Sequence, residues 1–380
     1  MKDRVAIVGA GMVERFGELF HKSFDGLVEE AYLNALASVP KGMDPKAIEA
    51  AWFGTVRGRG GYTLADACGL YGIPVTRVEN ACATGSDAFR NACMAIAAGA
   101  CDAALVVGAE KLRDRAGGLI EGADTADIHR AGKTLPALFG LFATRHMHEF
   151  GTKREHLAMV SVKNHANGAL YPQAHFRMKV TVEDVLKSPV ITWPLNLYDC
   201  CPVTDGAAAL LLTRADLAKR YTDEPVLVSG LGFSTSVNPL AHPGVPPVVF
   251  PATVEAARRA YKMAGVQPGD LDVAEVHDCY SIAELLHYED LGFCKKGEGG
   301  KFIEEGRPNL DGDIPINPSG GLLSKGHPIG ATGVAQIVEI AEQLQGRAGL
   351  VQVPDAEVGL THNLGAGETG LVSFVSVLKR

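Results

Sequence analysis

Residues 79–108 read ENACATGSDAFRNACMAIAAGACDAALVVG, in which a polar turn around Cys82 is followed by a small-residue helix and the apolar run Ala103–Gly108. A continuous apolar strand is typical of a sheet covered on both faces, and helices between such strands are typical of α/β proteins. We therefore predict an α/β fold in which Cys82 lies at the N-terminal end of a helix.

The same succession of elements occurs in both halves of the chain. An apolar strand that runs into glycines opens each half, at Val5–Val8 and again at Val226–Gly232. GATG at residues 330–333 stands at the head of a predicted helix, as CATG at residues 82–85 does. Chance similarity between α/β segments is the alternative, but the repeated order favours two copies of one α/β unit.

The predicted halves comprise residues 1–220 and residues 221–380, and they differ in length. The excess lies in the first half at residues 112–198, which are polar, contain several histidines and show no regular hydrophobic period. Inserted segments on α/β scaffolds commonly build ligand sites. We expect residues 112–198 to form an irregular inserted loop domain beside the functional site.

Composition and charge exclude several classes of protein. The chain has 380 residues, of which 47% are hydrophobic and 21% charged, a composition typical of globular proteins. Its net charge is −8 and its basic residues are scattered, so we expect no nucleic-acid binding. The N-terminal segment lacks the long apolar core of a signal peptide, and no apolar run approaches a membrane span of about 20 residues. These features predict a cytoplasmic protein without membrane association.

The cysteines separate into one candidate nucleophile and a majority with packing roles. The 8 cysteines contain no CxxC pair, so we expect no metal site and reduced thiols. Cys82 differs because a helix N-terminus presents free N–H groups and a positive dipole end, which should lower its thiol pKa. The same N–H groups can bind an oxyanion. A buried structural cysteine remains the alternative.

Two further segments carry histidines that could act with Cys82. His277 and Cys279 follow a short predicted strand in the sequence VHDCY, and ligands of α/β proteins bind outside such strand ends. His327 lies in SGGLLSKGHPIGATG, a loop in which glycines allow close backbone approach to a ligand. Taken alone, His327 could equally be a structural loop histidine.

Together these motifs resemble the thiolase superfamily over essentially the whole chain. The Cys82 turn is similar to the family's nucleophile turn, and Gly326–Pro328 with the GATG that follows resembles its GHP motif. His277–Tyr280 resembles the HDCF motif of sterol-carrier-protein-type and archaeal-type thiolases. Asn363 stands where typical thiolases carry a second, C-terminal catalytic cysteine. The resemblance implies the thiolase fold, with two duplicated five-stranded α/β halves in layers and an inserted loop domain.

The resemblance also implies an acyltransferase activity. Thiolases cleave or form 3-ketoacyl-CoA by Claisen chemistry through an acyl-enzyme, which would be carried here by Cys82. His327 would act as general base, and His277 with His327 would form an oxyanion site. Cys279 would exchange the α-carbon proton, since the C-terminal cysteine is missing. The backbone N–H groups of Cys82 and Gly365 would hold the acyl carbonyl.

The remaining site residues are expected around the acyl pocket. Tyr280 replaces the usual phenylalanine and would change pocket polarity, and Asn363 would border the same pocket. Lys153, Arg154 and Lys163 are candidates for binding CoA phosphates, with solvated surface charges as the alternative.

Partners and competing functions follow from the same resemblance. It implies CoA and acyl-CoA as substrates, no tightly bound cofactor, a role in lipid metabolism, and a homodimer or tetramer. It also implies a small zinc-ribbon/OB-fold partner protein. Two other functions stay open. One is a thiolase-fold retro-aldolase acting on a 3-hydroxyacyl-CoA, against which the intact Cys82 counts. The other is a non-catalytic CoA- or lipid-binding subunit.

Overall fold

The computed structural model describes residues 1–114, 134–367 and 369–380, and its strands and helices alternate from β1 to β4 at the start of the chain. The strands are β1 Val5–Met12, β2 Ala50–Gly54, β3 Val75–Val78, β4 Ala103–Glu110, β5 Val190–Thr192, β6 Leu195–Asn196, β7 Gly206–Arg214, β8 Val226–Val237, β9 Val273–Glu275, β10 Val358–Ala366 and β11 Gly370–Lys379. The helices are α1 Phe24–Ala37, α2 Gly61–Cys68, α3 Thr84–Ala97, α4 Leu135–Phe150, α5 Arg154–Leu170, α6 Val182–Lys187, α7 Pro251–Ala264, α8 Ser281–Asp290, α9 Gly299–Glu304, α10 Gly321–Ser324 and α11 Ile329–Leu344.

Nine of these strands form one sheet in the order β3-β2-β4-β7-β1-β8-β11-β10-β9. The predicted strand that ends the 79–108 segment is β4, which is buried along its whole length between β2 and β7. The predicted helix is α3, which begins two residues after Cys82. The α/β prediction from this segment is therefore confirmed.

The two halves of the sheet have the same strand order. Outward from the central β1–β8 contact, the first half continues with β7, β4, β2 and β3, and the second with β11, β10 and β9. Corresponding pairs also have the same orientation: β4–β2 and β10–β9 are parallel, whereas β7–β4 and β11–β10 are antiparallel. A parallel bridge between Ala274 and Ile316 takes the position of a fifth strand in the second half. Four strands and this bridge therefore stand where five strands were expected.

The predicted inserted segment is more regular than its sequence suggested. Among its described residues, α4, α5 and α6 form helices, and β5 and β6 form a short hairpin. Residues 115–133 of the insertion lie outside the described residues. The expectation of irregular structure over residues 134–198 was wrong. In α5, ten of the residues are buried and they lie on most sides of the helix, so no clear amphipathic period remains in its sequence.

One helix, α11, lies between the two halves and brings their motifs together. It packs against β4 and β7 of the first half and against β9 and β10 of the second. A Cβ atom at Gly85 would lie 2.8 Å from the carbonyl oxygen of Gly330, and one at Gly108 would lie 2.4 Å from the same oxygen. A Cβ at Gly333 would lie 2.3 Å from Ser86 Oγ. The glycines of the two repeated motifs are therefore needed for α3, β4 and α11 to approach this closely.

None of the described helices combines the length and the apolar character that crossing a lipid bilayer requires.

Candidate active site

The close packing of α3 and α11 places Cys82 and His327 at the same cavity, because each residue lies two positions before the start of one of these helices. The cavity has a volume of about 90 Å³ and is largely apolar. Four residues predicted to be catalytic line it, together with Tyr280, namely Cys82, His277, Cys279 and His327. The sequence prediction named these side chains from three separate segments, and the fold brings them together.

The turn that carries Cys82 is held by its own polar groups. The backbone N–H of Asn80 donates to Thr84 Oγ1 at 2.8 Å, and Thr84 Oγ1 donates to the carbonyl of Ala81 at 2.6 Å. Ala81 has a φ of 49°, a left-handed conformation that is unfavourable for a residue with a Cβ atom. Strain of this kind persists only where the surroundings hold it, as at functional sites.

Gly365 lies against the same turn. A Cβ atom at Gly365 would lie 2.6 Å from the carbonyl oxygen of Asn80 and 3.4 Å from the nitrogen of Ala83. Only glycine therefore allows β10 to pass this close to the residues that flank Cys82. The neighbours Leu364 and Ala366 line the cavity.

The environment of Cys82 corrects one prediction. Burial raises the pKa of the Cys82 thiol to about 12, and the charge of Glu79 adds to this rise, although a backbone N–H group at the turn lowers the pKa. The expected lowering of the pKa at the helix N-terminus is thus present, but burial raises the pKa by more because a buried thiolate loses its hydration. The resting form of Cys82 is a neutral thiol.

His327 is oriented by Thr332. His327 Nδ1 lies 2.8 Å from Thr332 Oγ1, and Thr332 Oγ1 donates to the carbonyl of Pro328 at 3.2 Å. Because a hydroxyl has only one proton, both contacts are hydrogen bonds only if His327 carries its own proton on Nδ1. The free Nε2 atom has no hydrogen-bond partner and is available as a base. Burial lowers the pKa of His327 to about 3, so the ring is neutral.

His277 completes the polar group of the cavity. Its ring lies 5.2 Å from the ring of His327, at an interplanar angle of 81°. Burial lowers the pKa of His277 well below its usual value, and the neighbouring His327 and His362 rings further disfavour its protonation. The Cys82 Sγ atom and one ring nitrogen each of His277 and His327 lie within 4.8 Å of one another. Such atoms also bind zinc, so among the described residues this trio is the group that could hold a metal ion.

Asp278 explains how His277 and Cys279 both face the cavity. It lies between them in the chain and points the other way, where its carboxylate accepts hydrogen bonds from the N–H groups of Leu322 at 2.6 Å and Leu323 at 3.1 Å. Gly321 has a φ of 58°, and a Cβ atom there would lie 2.3 Å from Asp278 Oδ2. The carboxylate thus docks the glycine-rich loop onto this segment, a role that sequence analysis missed.

Cys279 shares its surroundings with a second thiol, Cys201. Both line the cavity, and the backbone N–H of Cys201 donates to the carbonyl of Cys279 at 3.0 Å. Burial raises the pKa of both thiols well above the usual value.

The ring of Tyr280 lies 4.5 Å from that of Phe139, and both rings form part of the cavity wall. Cys201 and Phe139 were not predicted, because no local motif marks a residue that only the tertiary fold brings to the site.

One predicted pocket residue, Asn363, lies elsewhere. Asn363 is buried but does not line the cavity; its amide donates to Gln336 Oε1 at 2.7 Å. It adjoins cavity-lining Leu364 on β10, and successive side chains of a strand point to opposite faces. The expectation that Asn363 borders the pocket is therefore wrong in this structure.

Of the three candidates for binding CoA phosphates, Lys163 needs correction, and Lys153 and Arg154 stay predictions. Lys163 is buried and pairs with Glu284 at 2.8 Å, so it is not available to an anionic ligand. Arg154 donates to Asn196 at 2.5 Å and lies over the ring of Trp193. Lys153 is the exposed residue that precedes α5. Neither Lys153 nor Arg154 lines the cavity.

Comparison with known proteins identifies the family. Residues 5–216 match the thiolase N-terminal domain, and residues 236–380 match the thiolase C-terminal domain-like family. The chain is 45% identical to an acetyl-CoA acetyltransferase of Methanothermobacter thermautotrophicus over 100% of both chains. It is 36% identical to sterol carrier protein 2 of Bos taurus, covering 98% of this chain and 72% of that protein.

Solved structures show the same fold. The Ltp2-ChsH2(DUF35) aldolase superposes with a TM-score of 0.87 at 26% identity and covers 100% of this chain and 98% of its own. A monomeric SCP2-thiolase like protein type 1 from Mycobacterium smegmatis gives a TM-score of 0.78 at 18% identity, covering 99% of this chain and 77% of its own. The chain therefore belongs to the thiolase family and is an acyltransferase of that family.

Proposed function

We propose that this enzyme cleaves or forms 3-ketoacyl-CoA through a thioester on Cys82. The observation that carries the proposal is the convergence of Cys82, His277 and His327, whose reactive atoms lie within 4.8 Å of one another in an apolar cavity. His327 Nε2 and His277 Nδ1 have no hydrogen-bond partner. Buried polar atoms are nearly always paired, so unpaired ones that face a cavity indicate contact with a substrate.

In the first half-reaction, Cys82 Sγ forms a bond to the 3-keto carbon and passes its proton to His327 Nε2. The bond between carbons 2 and 3 then breaks, and its electron pair moves into the enolate of the departing acyl-CoA. Because neutral Cys82 and His327 are the resting forms, charge develops only as the substrate reacts. Hydrogen-bond donors placed in advance around such a charge are effective because no water competes with them.

Two sets of donors are available for the oxyanions of this reaction. We assign the enolate oxygen to His277 and to His327 after it has gained the thiol proton. We assign the thioester carbonyl to the backbone N–H groups of Cys82 and Gly365, which the close approach of Gly365 to the Cys82 turn supports.

Cys279 is our candidate for the acid that protonates carbon 2 of the enolate. Its buried thiol has a raised pKa and therefore keeps its proton until a strong base such as an enolate is formed. In the second half-reaction, the CoA thiol attacks the Cys82 thioester and releases the shortened acyl-CoA. The CoA thiol proton goes to the deprotonated Cys279, and the Cys82 thiolate takes the proton held by His327. Both catalytic cysteines are then thiols again.

The size of the cavity and the polar groove beside it favour a substrate that has a short acyl group on a large polar carrier. A cavity of about 90 Å³ suits an acyl group of a few carbons rather than a sterol side chain. Pro202 and Val203 line this cavity and also a groove of about 770 Å³ that contains Arg15, Lys22 and Arg113. We propose that the groove receives the polar part of CoA, which acts as a substrate, and the absence of a tightly bound cofactor stays a prediction.

A second candidate function deserves a test because one structural neighbour is named an aldolase. The Ltp2-ChsH2(DUF35) aldolase resembles this chain at 26% identity. A retro-aldolase would split a 3-hydroxyacyl-CoA without free CoA and without an acyl-enzyme. Cys82 and the unpaired His327 Nε2 beside it favour the thiolase reaction. The name of the same neighbour supports a DUF35-type partner for this enzyme.

The experiment that tests the proposed function is a substrate panel with purified protein, with and without a DUF35-type partner. We expect cleavage of acetoacetyl-CoA that depends on added CoA and stops after alkylation of Cys82. Cleavage of a 3-hydroxyacyl-CoA in the absence of CoA, unaffected by alkylation, would instead establish the aldolase. The dimer or tetramer, the cytoplasmic location and the division into residues 1–220 and 221–380 stay predictions.

A further inference from the structure

A buried ion pair joins the two chain segments that carry the active-site histidines. Glu275 is the last residue of β9 and lies two residues before His277, whereas Lys325 follows α10 and lies two residues before His327. Lys325 Nζ is 3.2 Å from Glu275 Oε2, and the side chains are 1% and 0% exposed. Neither residue lines the cavity.

Glu275 also holds the beginning of the loop that leads to His327. It accepts hydrogen bonds from the backbone N–H of Ser319 at 3.1 Å and from Ser319 Oγ at 2.8 Å. One carboxylate therefore contacts residue 319 at the start of the loop and residue 325 near its end. This double attachment ties the His327 loop to the strand from which His277 follows.

The ion pair is poorly explained by stability alone. Removing two charges from water costs several kcal/mol for each ion, and their attraction often does no more than offset this cost. The surroundings contain further acids, because Glu339 and Glu342 lie near Lys325, where burial raises their pKa to about 8 and about 7, and Glu339 Oε2 has no hydrogen-bond partner. The ring of Tyr171 lies on another side of Lys325, 5.9 Å from Nζ. An apolar pair of similar size would fill this space at lower electrostatic cost.

We propose that Glu275 and Lys325 are positioning residues that set the relative placement of His277 and His327. This inference rests on the proposed function, in which the two histidines share one oxyanion. The histidine rings lie 5.2 Å apart at 81°, and neither has a side-chain hydrogen bond to the other's segment among the described contacts. Glu275 and Lys325 provide a link two residues from each histidine, in addition to the Asp278 contacts with Leu322 and Leu323. Loss of the link should leave substrate binding largely intact but misplace the donors in the transition state.

The informative variant replaces both partners with neutral groups of similar length, Glu275→Gln together with Lys325→Met. A single replacement leaves a charge buried without its partner and endangers folding, whereas the double replacement removes both charges. The control is Lys296→Met with Asp290→Asn, an ion pair of the same half at 2.6 Å that does not line the cavity, although Lys296 is 35% exposed and also lies 3.1 Å from Glu289. Thermal unfolding shows whether both variants are folded.

We expect the Glu275→Gln/Lys325→Met variant to unfold cooperatively. Its KM should change by less than about 3-fold, whereas its kcat should fall on the order of 10²-fold, because misplacing a catalytic group by about 1 Å has an effect of this size. The control should keep kcat within about 3-fold. Histidine side-chain NMR of the free proteins should show altered His277 and His327 signals in the first variant only. Unchanged kcat and unchanged histidine signals in a folded double variant would overturn the proposal.

The NMR readout keeps this test separate from that of the proposed function. If the wild-type protein cleaves no 3-ketoacyl-CoA, the proposed function fails, while altered histidine signals would still establish that the pair positions the histidines. If the wild type is active and both variants lose kcat equally, the pair has only a general structural role and the inference fails.

Discussion

His327 Nδ1 lies 2.8 Å from the hydroxyl oxygen of Thr332, five residues further along the chain. The hydroxyl donates in turn to the carbonyl of Pro328, so the histidine proton is on Nδ1 and Nε2 is free towards Cys82. The hydrogen bond at one ring nitrogen sets the tautomer and thereby the chemistry of the other.

Removal of this hydroxyl should impair the base without disturbing the fold. We expect Thr332→Val to lower kcat by roughly 10- to 100-fold, because orienting partners of functional histidines have effects of this size. Steady-state kinetics of Thr332→Ser provides the control, since serine keeps the hydroxyl and should stay within a few-fold of wild type. Equal losses in both variants would show that packing of the methyl group, not the hydrogen bond, matters.

Cys279→Ala should separate proton exchange from acylation. If Cys279 delivers the proton to carbon 2, the variant loses exchange of the α-protons of acetyl-CoA with deuterated water but still acylates Cys82. Cys201→Ala is a matched control because Cys201 lines the same cavity. NMR measures the exchange and mass spectrometry the acylation. Wild-type exchange in Cys279→Ala would remove Cys279 from the mechanism.

The pH dependence of Cys82 alkylation tests whether the resting thiol is neutral. Burial raises the pKa of Cys82 to about 12 and lowers that of His327 to about 3. A thiolate–imidazolium pair is therefore not formed in the free enzyme, and the thiolate fraction increases with pH. Alkylation by iodoacetamide should accelerate steadily from about pH 6 to about pH 10. A plateau that begins in the acidic range would indicate a preformed ion pair and contradict this assignment.

The contact of β4 with α11 predicts an effect on stability. A Cβ atom at Gly108 would lie 2.4 Å from the carbonyl oxygen of Gly330, so Gly108→Ala should lower the free energy of unfolding by about 1–3 kcal/mol. It should also lower activity, since α11 carries His327 at its start. Gly269→Ala serves as control because no heavy atom lies within 4 Å of its added Cβ. Denaturant unfolding of both variants measures the difference, and equal stability would refute the close contact.

The sequence predicts the parts of the site that local chemistry marks. A cysteine before a helix, a histidine after a strand and a histidine in a glycine-rich loop are each visible as patterns, and Cys82, His277 and His327 do line one cavity. Cys82 and His327 converge because glycines of the two repeated motifs, Gly85 of CATG and Gly330 of GATG, pack against each other.

Long-range packing explains what the sequence does not predict. Lys163 reads as a surface charge but is buried against Glu284, a contact between residues 121 positions apart. Asn363 occupies the position of a catalytic cysteine but hydrogen-bonds to Gln336 on the adjacent helix. The thiol pKa of Cys82 depends on burial by residues from distant segments, which outweighs the local effect of the helix. Each of these outcomes depends on neighbours that the chain brings together only on folding.

The formation of a thioester on Cys82 is the central claim, and intact-protein mass spectrometry tests it most directly. Wild-type protein and the Cys82→Ala variant are mixed with acetoacetyl-CoA in the absence of free CoA and quenched in acid. Cys93→Ala is the control, because it removes a buried cysteine of α3 that does not line the cavity. We predict a single acetyl adduct that maps to Cys82, is absent from Cys82→Ala and disappears when CoA is added. Turnover of acetoacetyl-CoA by Cys82→Ala, or an adduct on another residue, would contradict the account.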